Sequence, residues 1–473
     1  MNALACDVVT IGGGPGATPG AELLARSGRR VIVVEQGEGL GGTCLFQGCI
    51  PSKIYLETAR RLRELGQAHR FGIVGTVAGR PDLAALRRRK ADILAARVRG
   101  AHEAARRAGL TVLRGTADFL DPHELTVRLA GGEDARVTAK TVICAPGSRP
   151  AGLAIPGADL EGVWSSADAL ELREVPTSLV IVGGGYIACE LATLYGTLGT
   201  RVRILEALPR LLSSEDPGVV EVLVGKWAEE ELPVEVVVGA RVERIASLGA
   251  HTWSVTYRDA AGEEAMVPAA RVLLAVGRSP NTSGISFQRA GIELGPRGEV
   301  PVNDVFQTRV PHIYAPGDVN GRVMLAHAAT WQSLVAARHI LGQLTEPPPP
   351  AVVPHVIFTD PEIAAVGADS RDLATHPGWR LTRWPYAGDA RARIVGDLTG
   401  FAQMVWDAGT GRVQGVQVVG HDAGELIAEA THAITHEETV GSIAQTIHAH
   451  PTMNEVISEL AAAALSEGPQ GAG

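Results

Sequence analysis

Residues 8–17 read Val8-Val9-Thr10-Ile11-Gly12-Gly13-Gly14-Pro15-Gly16-Ala17, an apolar run that ends in a cluster of glycines. A helical stretch follows to about Ser27, and a second apolar run over residues 31–34 ends on Glu35. Apolar β-branched residues favour strands, and glycines allow a tight turn from a strand into a helix. The segment therefore predicts a β–α–β unit over residues 8–35.

The same series occurs a second time. Residues 179–182 form an apolar run before Gly183-Gly184-Gly185, a helix passes through Glu190 to about Leu198, and residues 202–205 end on Glu206. In both copies the acid stands 23 residues after the first glycine, from 12 to 35 and from 183 to 206. Such a turn brings the helix N-terminus to a pyrophosphate, and the acid binds a ribose hydroxyl. Two copies at equal spacing predict two dinucleotide-binding domains.

The rest of the chain shows further elements. Residues 81–108 predict a long helix whose Arg87–Lys90 charge run is interpreted as a solvated face rather than a site for an anionic partner. The Pro347–Pro350 run predicts a domain boundary. Beyond it, strands around 400–406 and 413–419 and helices near 422–436 and 453–465 predict a separate α+β domain.

Composition restricts the class of function. The chain has 473 residues, 45% hydrophobic and 20% charged, with a net charge of −9, which argues against nucleic acid or an anionic membrane as a partner. No apolar run reaches the roughly 18–20 residues needed to span a bilayer. The first residues carry no basic stretch typical of a secretory signal, so we expect a cytoplasmic protein.

The cysteines indicate thiol chemistry. Cys44 and Cys49 lie close together in the glycine-rich segment 41–53, whereas Cys6, Cys144 and Cys189 are expected to be buried thiols. Four residues separate the pair, which is not zinc-knuckle spacing, and no second Cys/His pair completes a metal site. We therefore predict a redox-active cysteine pair and no metal. Lysine is scarce, and one of only four lysines, Lys53, stands one helical turn after Cys49.

At this point the sequence resembles the flavin-dependent pyridine nucleotide–disulfide oxidoreductases. The segment Gly41-Gly42-Thr43-Cys44 through Cys49-Ile50-Pro51-Ser52-Lys53 matches the redox signature of that family, and the likeness covers nearly the whole chain. The resemblance implies an α/β fold with two Rossmann-like domains and a C-terminal α+β dimerisation domain. It divides the chain into an FAD-binding domain (1–150 and 281–346), an NAD-binding domain (151–280) and a C-terminal domain (351–473).

The resemblance also implies roles for single residues. Cys44 would exchange with the substrate, Cys49 would face the flavin, and Lys53 would pair with Glu190 where flavin and nicotinamide meet. Asp318, after Tyr314-Ala315-Pro316-Gly317, would hold the ribityl chain of FAD. The further residues expected to bind FAD or NAD are Gly12, Gly14, Gly16, Glu35, Gly42, Thr43, Gly115, Gly147, Leu325, Ala326, Gly183, Gly185, Tyr186, Ile187, Glu206 and Gly277.

Near the C-terminus, His448-Ala449-His450-Pro451-Thr452-Met453-Asn454-Glu455 matches the His–Glu dyad of the family. A carboxylate that orients a histidine makes it a base for a thiol. His450 would take the proton of the attacking dithiol and Glu455 would fix its tautomer. In the family this base comes from the other subunit, so a homodimer is expected.

The resemblance implies a reaction and partners. A dihydrolipoyl group, carried by an acyltransferase or a glycine-cleavage carrier protein, would reduce the cysteine disulfide, and the electrons would pass through FAD to NAD⁺. Glu206 favours NAD over NADP because a carboxylate repels a 2′-phosphate, although Arg210 lies four residues later.

Alternatives stay open at this point: a glutathione-type or mercuric-type reductase, or a non-catalytic flavoprotein subunit. Phe46 and Trp331 depart from the family pattern and could narrow the substrate channel, and Pro19 interrupts the first predicted helix.

Overall fold

The computed structural model describes residues 2–467 apart from 76–78, 250, 345, 347 and 350. Two regions built on parallel sheets precede an antiparallel C-terminal sheet. The predicted α/β class, with two Rossmann-like regions and a C-terminal α+β region, is confirmed. The Pro347–Pro350 run includes residues 347 and 350, which lie outside the described part of the chain.

Helices and strands alternate along the first two regions. The first region begins with β1 (Asn2–Ile11), α1 (Thr18–Arg26), β2 (Val31–Glu35), α2 (Gly42–Phe46), α3 (Cys49–Gln67), α4 (Leu83–Ala108), β3 (Thr111–Phe119), β4 (Glu124–Leu129), β5 (Asp134–Cys144) and β6 (Ser148–Pro150). The second contains β7 (Val163–Trp164), α5 (Ser166–Ala169), β8 (Ser178–Val182), α6 (Tyr186–Thr197), β9 (Arg201–Glu206), α7 (Pro217–Glu229), β10 (Val234–Val238), β11 (Arg241–Gly249), β12 (Thr252–Arg258), β13 (Glu264–Ala269), β14 (Arg271–Leu274) and β15 (Arg278–Pro280).

The chain then returns to the first region with β16 (Ile313–Tyr314) and α8 (Ala326–Ile340). The C-terminal region contains β17 (His355–Ile357), β18 (Glu362–Gly367), β19 (Trp379–Pro385), α9 (Ala390–Val395), β20 (Phe401–Asp407), β21 (Val413–Gly420), α10 (Ala423–Thr435), α11 (Val440–Gln445) and α12 (Glu455–Glu467).

The first two regions share one sheet topology. In the first, β1 lies between β2 and β5, and the parallel sheet extends to β3 on one side and β16 on the other. In the second, β8 lies between β9 and β14, and the sheet extends to β10 and β7. Each region adds a three-stranded antiparallel unit, β3–β4–β5 or β11–β12–β13. The sequence repeat is therefore a repeat of a whole sheet.

A short ribbon lies where the chain passes between these regions. β6 and β15 pair antiparallel, with Ser148 opposite Pro280 and Pro150 opposite Arg278. Both crossings of the chain thus run side by side. The boundaries that we place at 150/151 and 280/281 fall on this ribbon.

The C-terminal region is an antiparallel sheet in the order β17-β18-β21-β20-β19, covered by helices. Its core contains fully buried side chains from the strands and from α10 and α12: Met404, Val416, Leu426, Val456 and Leu460. The alternating pattern read in the sequence at 400–406 and 413–419 gives β20 and β21, as expected. No helix among the described residues is both long and apolar enough to cross a membrane.

The predicted long helix, α4, begins and ends at recognisable caps. The Asp82 carboxylate accepts hydrogen bonds from the N–H groups of Ala84 and Ala85, which satisfies free donors at the N-terminus. Gly109, with a φ of +82°, ends the helix in a conformation that favours glycine. The prediction over 81–108 is confirmed to within two residues.

Two sequence expectations are wrong. Pro19 does not interrupt α1, because it occupies the first turn of that helix, where a missing N–H costs no helical hydrogen bond. Trp331 does not narrow a substrate channel. Its ring packs edge-on against Phe306, with centroids 5.7 Å apart, in the core of the first region.

Polar contacts join the C-terminal region to the first two regions. Nε2 of His355, on β17, lies 2.8 Å from Oε2 of the buried Glu215. Lys226, on α7, lies 2.9 Å from Oγ1 of Thr399. Arg63, on α3, forms an ion pair with Asp360. The hydrogen bond that His355 donates to the Glu215 carboxylate raises the pKa of His355.

This shift predicts a pH-dependent stability. A histidine whose pKa is raised by folding stabilises the protein fully below its unfolded pKa of about 6.5, and the contribution is lost as pH rises through the folded pKa. We therefore expect the difference in Tm between wild type and His355→Leu to be largest near pH 6 and to shrink towards pH 9. Lys226→Met is the matched control, because it removes another polar contact between the second and the C-terminal regions without removing a histidine. A difference for His355→Leu that stays constant with pH would contradict the prediction.

Candidate active site

The first glycine turn lies between β1 and α1. Gly12 has a φ of +98°, and a Cβ there would stand 2.3 Å from the carbonyl oxygen of Ala145, so only glycine fits. Gly13 N–H donates to Oε2 of Glu35 at 2.6 Å, and Gly37 N–H donates to Oε1 at 2.6 Å. The acid at the end of β2 is thus held beside the turn by two backbone donors.

The second turn, between β8 and α6, repeats this geometry. Gly183 has a φ of +102°, and a Cβ there would stand 2.5 Å from the carbonyl oxygen of Ala275. Gly184 N–H donates to Oε2 of Glu206, and Leu208 N–H donates to Oε1 at 2.7 Å. The match of the two copies therefore extends to individual hydrogen bonds.

A cavity of about 880 Å³ opens between the first turn and the N-terminus of α6. It is lined by sixteen of the residues that the sequence singled out: Gly12, Gly14, Gly16, Glu35, Gly42, Thr43, Cys44, Cys49, Lys53, Gly115, Gly147, Tyr186, Ile187, Glu190, Asp318 and Ala326. The other predicted residues do not line it within the described chain: Leu325, Gly183, Gly185, Glu206, Gly277, His450 and Glu455. The cavity therefore brings together one dinucleotide turn, the cysteine pair and the start of α6.

The cysteine pair spans the short gap between α2 and α3. Cys44 belongs to α2, and Cys49 is the first residue of α3, where the helix dipole favours a thiolate. The hydrogen bond between the two thiols lowers the pKa of Cys49 to about 7, and the nearby Lys53 acts in the same direction. The same hydrogen bond and burial raise the pKa of Cys44. Cys6, Cys144 and Cys189 are buried, as expected.

Lys53 and Glu190 form an ion pair at the wall of the cavity. Nζ of Lys53 lies 2.9 Å from Oε1 and 2.8 Å from Oε2 of Glu190, whose side chain is 6% exposed. Lys53 comes from α3 and Glu190 from α6, so the pair joins the first region to the second. Each of the four lysines forms an ion pair with a carboxylate: Lys53, Lys90, Lys140 and Lys226.

Sequence reasoning missed a network around Asp318. Ser148 Oγ donates to Oδ2 of Asp318, and Arg278 Nε donates to Ser148 Oγ at 2.7 Å. All three residues line the cavity. The available sequence signal for Arg278 was its place directly after Gly277, one of the residues expected to bind a cofactor.

His450 and Glu455 form the predicted dyad. Nδ1 of His450 lies 3.0 Å from Oε1 of Glu455, which also accepts the N–H of Thr452 on Oε2 at 3.0 Å. These two hydrogen bonds, that of Thr452 first, lower the pKa of Glu455. The His450 side chain is 70% exposed. His450 is not among the residues that line the cavity of its own chain, where the cysteine pair lies. The dyad therefore presents its imidazole outward.

Two further side chains, His327 and Arg210, are engaged elsewhere. Nε2 of His327 lies 2.7 Å from the carbonyl oxygen of Pro354, which agrees with a structural rather than catalytic histidine. Arg210 donates to the carbonyl oxygens of Ser213 and Glu215, so its guanidinium is bound to its own loop and not aimed at a 2′-phosphate. Within the described chain, no group of three or more His, Cys, Asp and Glu side chains is placed to hold a metal ion.

The residues present fit two dinucleotides. At the first turn a Cβ on Gly14 would meet only Gly42, so the turn offers bare backbone to a pyrophosphate, beside the acid and a cavity with room for a flavin. At the second turn a Cβ on Gly185 would meet no atom within 4 Å, which leaves open space at the N-terminus of α6. FAD in the first site and NAD in the second are both consistent with these surroundings.

A dithiol beside an ion pair, between two dinucleotide turns, can pass electrons between a thiol substrate and two nucleotide cofactors. The fold and the site thus define a dithiol–disulfide oxidoreductase. A family model described as pyridine nucleotide-disulphide oxidoreductase matches residues 6–333, and the dimerisation domain of the same family matches residues 353–461. The chain belongs to this family and is an oxidoreductase that uses FAD and NAD.

Named relatives cover almost the whole chain. A dihydrolipoyl dehydrogenase of Bacillus subtilis is 35% identical over 95% of this chain and 96% of its own length. One from Haloferax volcanii is 37% identical over 98% of this chain and 96% of its own length. Among solved structures, LpdA of Mycobacterium tuberculosis has a TM-score of 0.87 at 28% identity and covers 98% of this chain and 99% of its own. The HOCl-induced flavoprotein disulfide reductase RclA of Escherichia coli has a TM-score of 0.86 at 26% identity, covering 96% and 99%.

The two turns predict separable effects of equivalent substitutions. In Gly13→Ala the new Cβ would stand 2.7 Å from Cδ2 of Leu40, and in Gly184→Ala 2.5 Å from Cδ2 of Leu211. Each new Cβ would also stand 2.9 Å from Oε2 of the acid that ends the strand, Glu35 or Glu206, so the acid that binds the ribose must shift. Loss of such a contact, worth about 1.4 kcal/mol, weakens cofactor binding roughly tenfold. We expect Gly13→Ala to weaken FAD retention, and Gly184→Ala to keep FAD but raise the KM for NAD⁺ about tenfold. Flavin absorbance per chain and steady-state kinetics measure the two effects. Loss of the same cofactor in both variants would contradict the assignment.

Proposed function

We propose that the protein is a dihydrolipoyl dehydrogenase, which oxidises a protein-bound dihydrolipoyl group with NAD⁺ as the final electron acceptor. The observation that carries the proposal is that Cys44, Cys49 and the Lys53–Glu190 pair line one cavity with the first dinucleotide turn. The full-length likeness to dihydrolipoyl dehydrogenases supports the choice of substrate. FAD, when bound, would carry the electrons between the dithiol and the nicotinamide.

The proposed thiol exchange begins with the Cys44–Cys49 disulfide. A substrate thiolate attacks the sulfur of Cys44, the disulfide breaks, and Cys49 leaves as a thiolate. The second substrate thiol then attacks the substrate sulfur of the mixed disulfide, which releases Cys44 and closes the lipoyl disulfide. The pKa of about 7 at Cys49 supports this order, because a thiol of lower pKa is the better leaving group.

We assign the base to His450 of the partner subunit in a homodimer. The imidazole is held by Glu455 and exposed, and it lies away from the cavity of its own chain, so a second chain would be needed to bring it to Cys44. His450 would accept the proton of the attacking dithiol at Nε2, while Glu455 keeps the proton on Nδ1. The dimerisation domain at 353–461 supports this arrangement.

The proposal includes NAD rather than NADP, and an external carrier of the lipoyl group. Glu206 at the end of β9 would repel a 2′-phosphate, and Arg210 is bound to its own loop. The lipoyl arm would come from an acyltransferase or a glycine-cleavage carrier protein. A reducing compartment such as the cytoplasm suits an enzyme whose working group is a dithiol.

A second candidate is a reductase that runs electrons from NADH to a different disulfide. Phe46, which departs from the family pattern, lines the cavity and stands between the two cysteines in sequence. An aromatic ring there restricts the disulfides that can approach Cys44. The solved disulfide reductase RclA shares this fold over 96% of the chain.

Steady-state assays separate these candidates. We expect the wild type to form NADH from dihydrolipoamide, to use NADP⁺ poorly, and to leave glutathione disulfide unreduced. Because general base catalysis contributes about 10²–10⁴-fold, His450→Ala should lose activity by that order. His436→Gln, at an exposed histidine that ends α10, is the matched control and should keep full activity. A wild type no faster than His450→Ala on dihydrolipoamide would refute the proposed substrate.

Sharing of the site between subunits gives a further prediction. Cys44→Ser and His450→Ala should each be inactive as homodimers. A heterodimer purified with two tags would contain one site with both Cys44 and His450, so about half of the wild-type activity should return. A heterodimer as inactive as its parents would show that each chain uses its own histidine, or that no dimer shares the site.

A further inference from the structure

The segment 354–358, which contains β17, contacts the surroundings of the cavity from both other regions. The carbonyl oxygen of Pro354 is bound by His327, at the start of α8. His355 is bound to Glu215 of the second region. The segment ends at Phe358, which reaches the Lys53–Glu190 pair. It is therefore fixed to both regions before it reaches the ion pair.

Phe358 makes two different contacts with that pair. Its backbone N–H donates to Oε1 of Glu190 at 3.0 Å, so this oxygen accepts from Phe358 as well as from Lys53. Nζ of Lys53 lies 4.4 Å from the centroid of the Phe358 ring. The carboxylate is oriented by the backbone, and the ammonium is held against the aromatic face.

We propose that Phe358 is a positioning residue for the Lys53–Glu190 pair, through which the C-terminal region controls the charge around Cys49. The inference rests on the proposed function for the importance of this pair, but its geometry belongs to the chain alone. Cys49 lines the cavity together with Cys44 on α2, Lys53 on its own helix, and Glu190 and Tyr186 on α6. Lys53 favours the thiolate of Cys49 and Glu190 opposes it, so the position of each charge matters.

The side chain of Phe358 acts on Lys53 more than on Glu190. Substitution of the ring leaves the backbone N–H in place, and with it the hydrogen bond that orients Glu190. Without the aromatic face the ammonium loses one of its two described contacts and keeps only the ion pair with Glu190, so it can shift away from Cys49. The pKa of Cys49 should then rise, while the carboxylate that opposes the thiolate stays where it is.

The test measures the thiolate of Cys49 directly. FAD-loaded protein with Cys44→Ser, reduced with a phosphine under nitrogen, is alkylated with iodoacetamide from pH 5 to pH 10 and followed by intact mass. The hydroxyl that this substitution introduces can still donate a hydrogen bond to Cys49, and the other three cysteines are buried, so one alkylation reports Cys49. The variants compared in this background are Phe358→Leu, Phe358→Tyr and Phe401→Leu.

We expect Phe358→Leu, which keeps apolar volume but removes the aromatic face, to raise the pKa of Cys49 by about 0.5. Phe358→Tyr should restore the value found with Phe358. Phe401→Leu is the matched control, because Phe401 has the Arg383 guanidinium 3.9 Å from its ring in the same C-terminal region but no contact with Lys53. It should leave the pKa unchanged.

Three results would overturn the proposal: an unchanged pKa in Phe358→Leu, a Phe358→Tyr variant that behaves like Phe358→Leu, or an equal shift in Phe401→Leu. Phe358→Met replaces Phe358→Leu if the latter loses its flavin. The assay contains neither dihydrolipoamide nor NAD⁺. Failure of this measurement therefore leaves the proposed substrate untouched, and failure of the substrate assay leaves this measurement valid.

Discussion

The Lys53–Glu190 ion pair is the contact on which the arrangement of the cavity depends. Glu190 is almost fully buried, and a carboxylate removed from water is tolerated only with a countercharge and further hydrogen bonds. The countercharge, Lys53, stands on α3 one turn after Cys49. Movement of α3 away from α6 would therefore leave the buried Glu190 without its countercharge. One electrostatic requirement thus sets the position of the cysteine pair relative to the second dinucleotide turn.

The two dinucleotide regions solve one steric problem in the same way. In each region the first glycine lies so close to the carbonyl oxygen of a residue just after a neighbouring strand that no side chain fits there. The N–H of the next glycine donates a hydrogen bond to the acid. The interval between glycine and acid is equal although α1 has 9 residues and α6 has 12. In both copies the acid must return to the same turn, where the N–H of the second glycine binds it. The differences lie outside the turns: the first region adds the cysteine segment, and the second supplies α6 with Glu190.

Much of the fold and site could be predicted from local sequence, because short-range rules govern the parts concerned. Glycine turns, strand-ending acids and the Cys44–Lys53 spacing are each contained within a few residues. Pro19 was misread because its effect depends on whether it lies in the first turn or the interior of the helix. Trp331 was misread because its partner, Phe306, is 25 residues distant and carries no sequence mark. Phe358 gave no signal at all, since one of its contacts uses the backbone N–H and its partner lies on α6.

The scarcity of lysine has a practical consequence for chemical modification. Amine reagents such as succinimidyl esters find four side chains in this protein, and their accessibility differs sharply: Lys90 and Lys226 are 11% and 14% exposed, Lys53 32% and Lys140 76%. Lys140, on β5, is therefore the side chain that a dye or a surface would attach to first. A label placed there leaves the cavity open, whereas slower modification of Lys53 would report directly on access to the cavity.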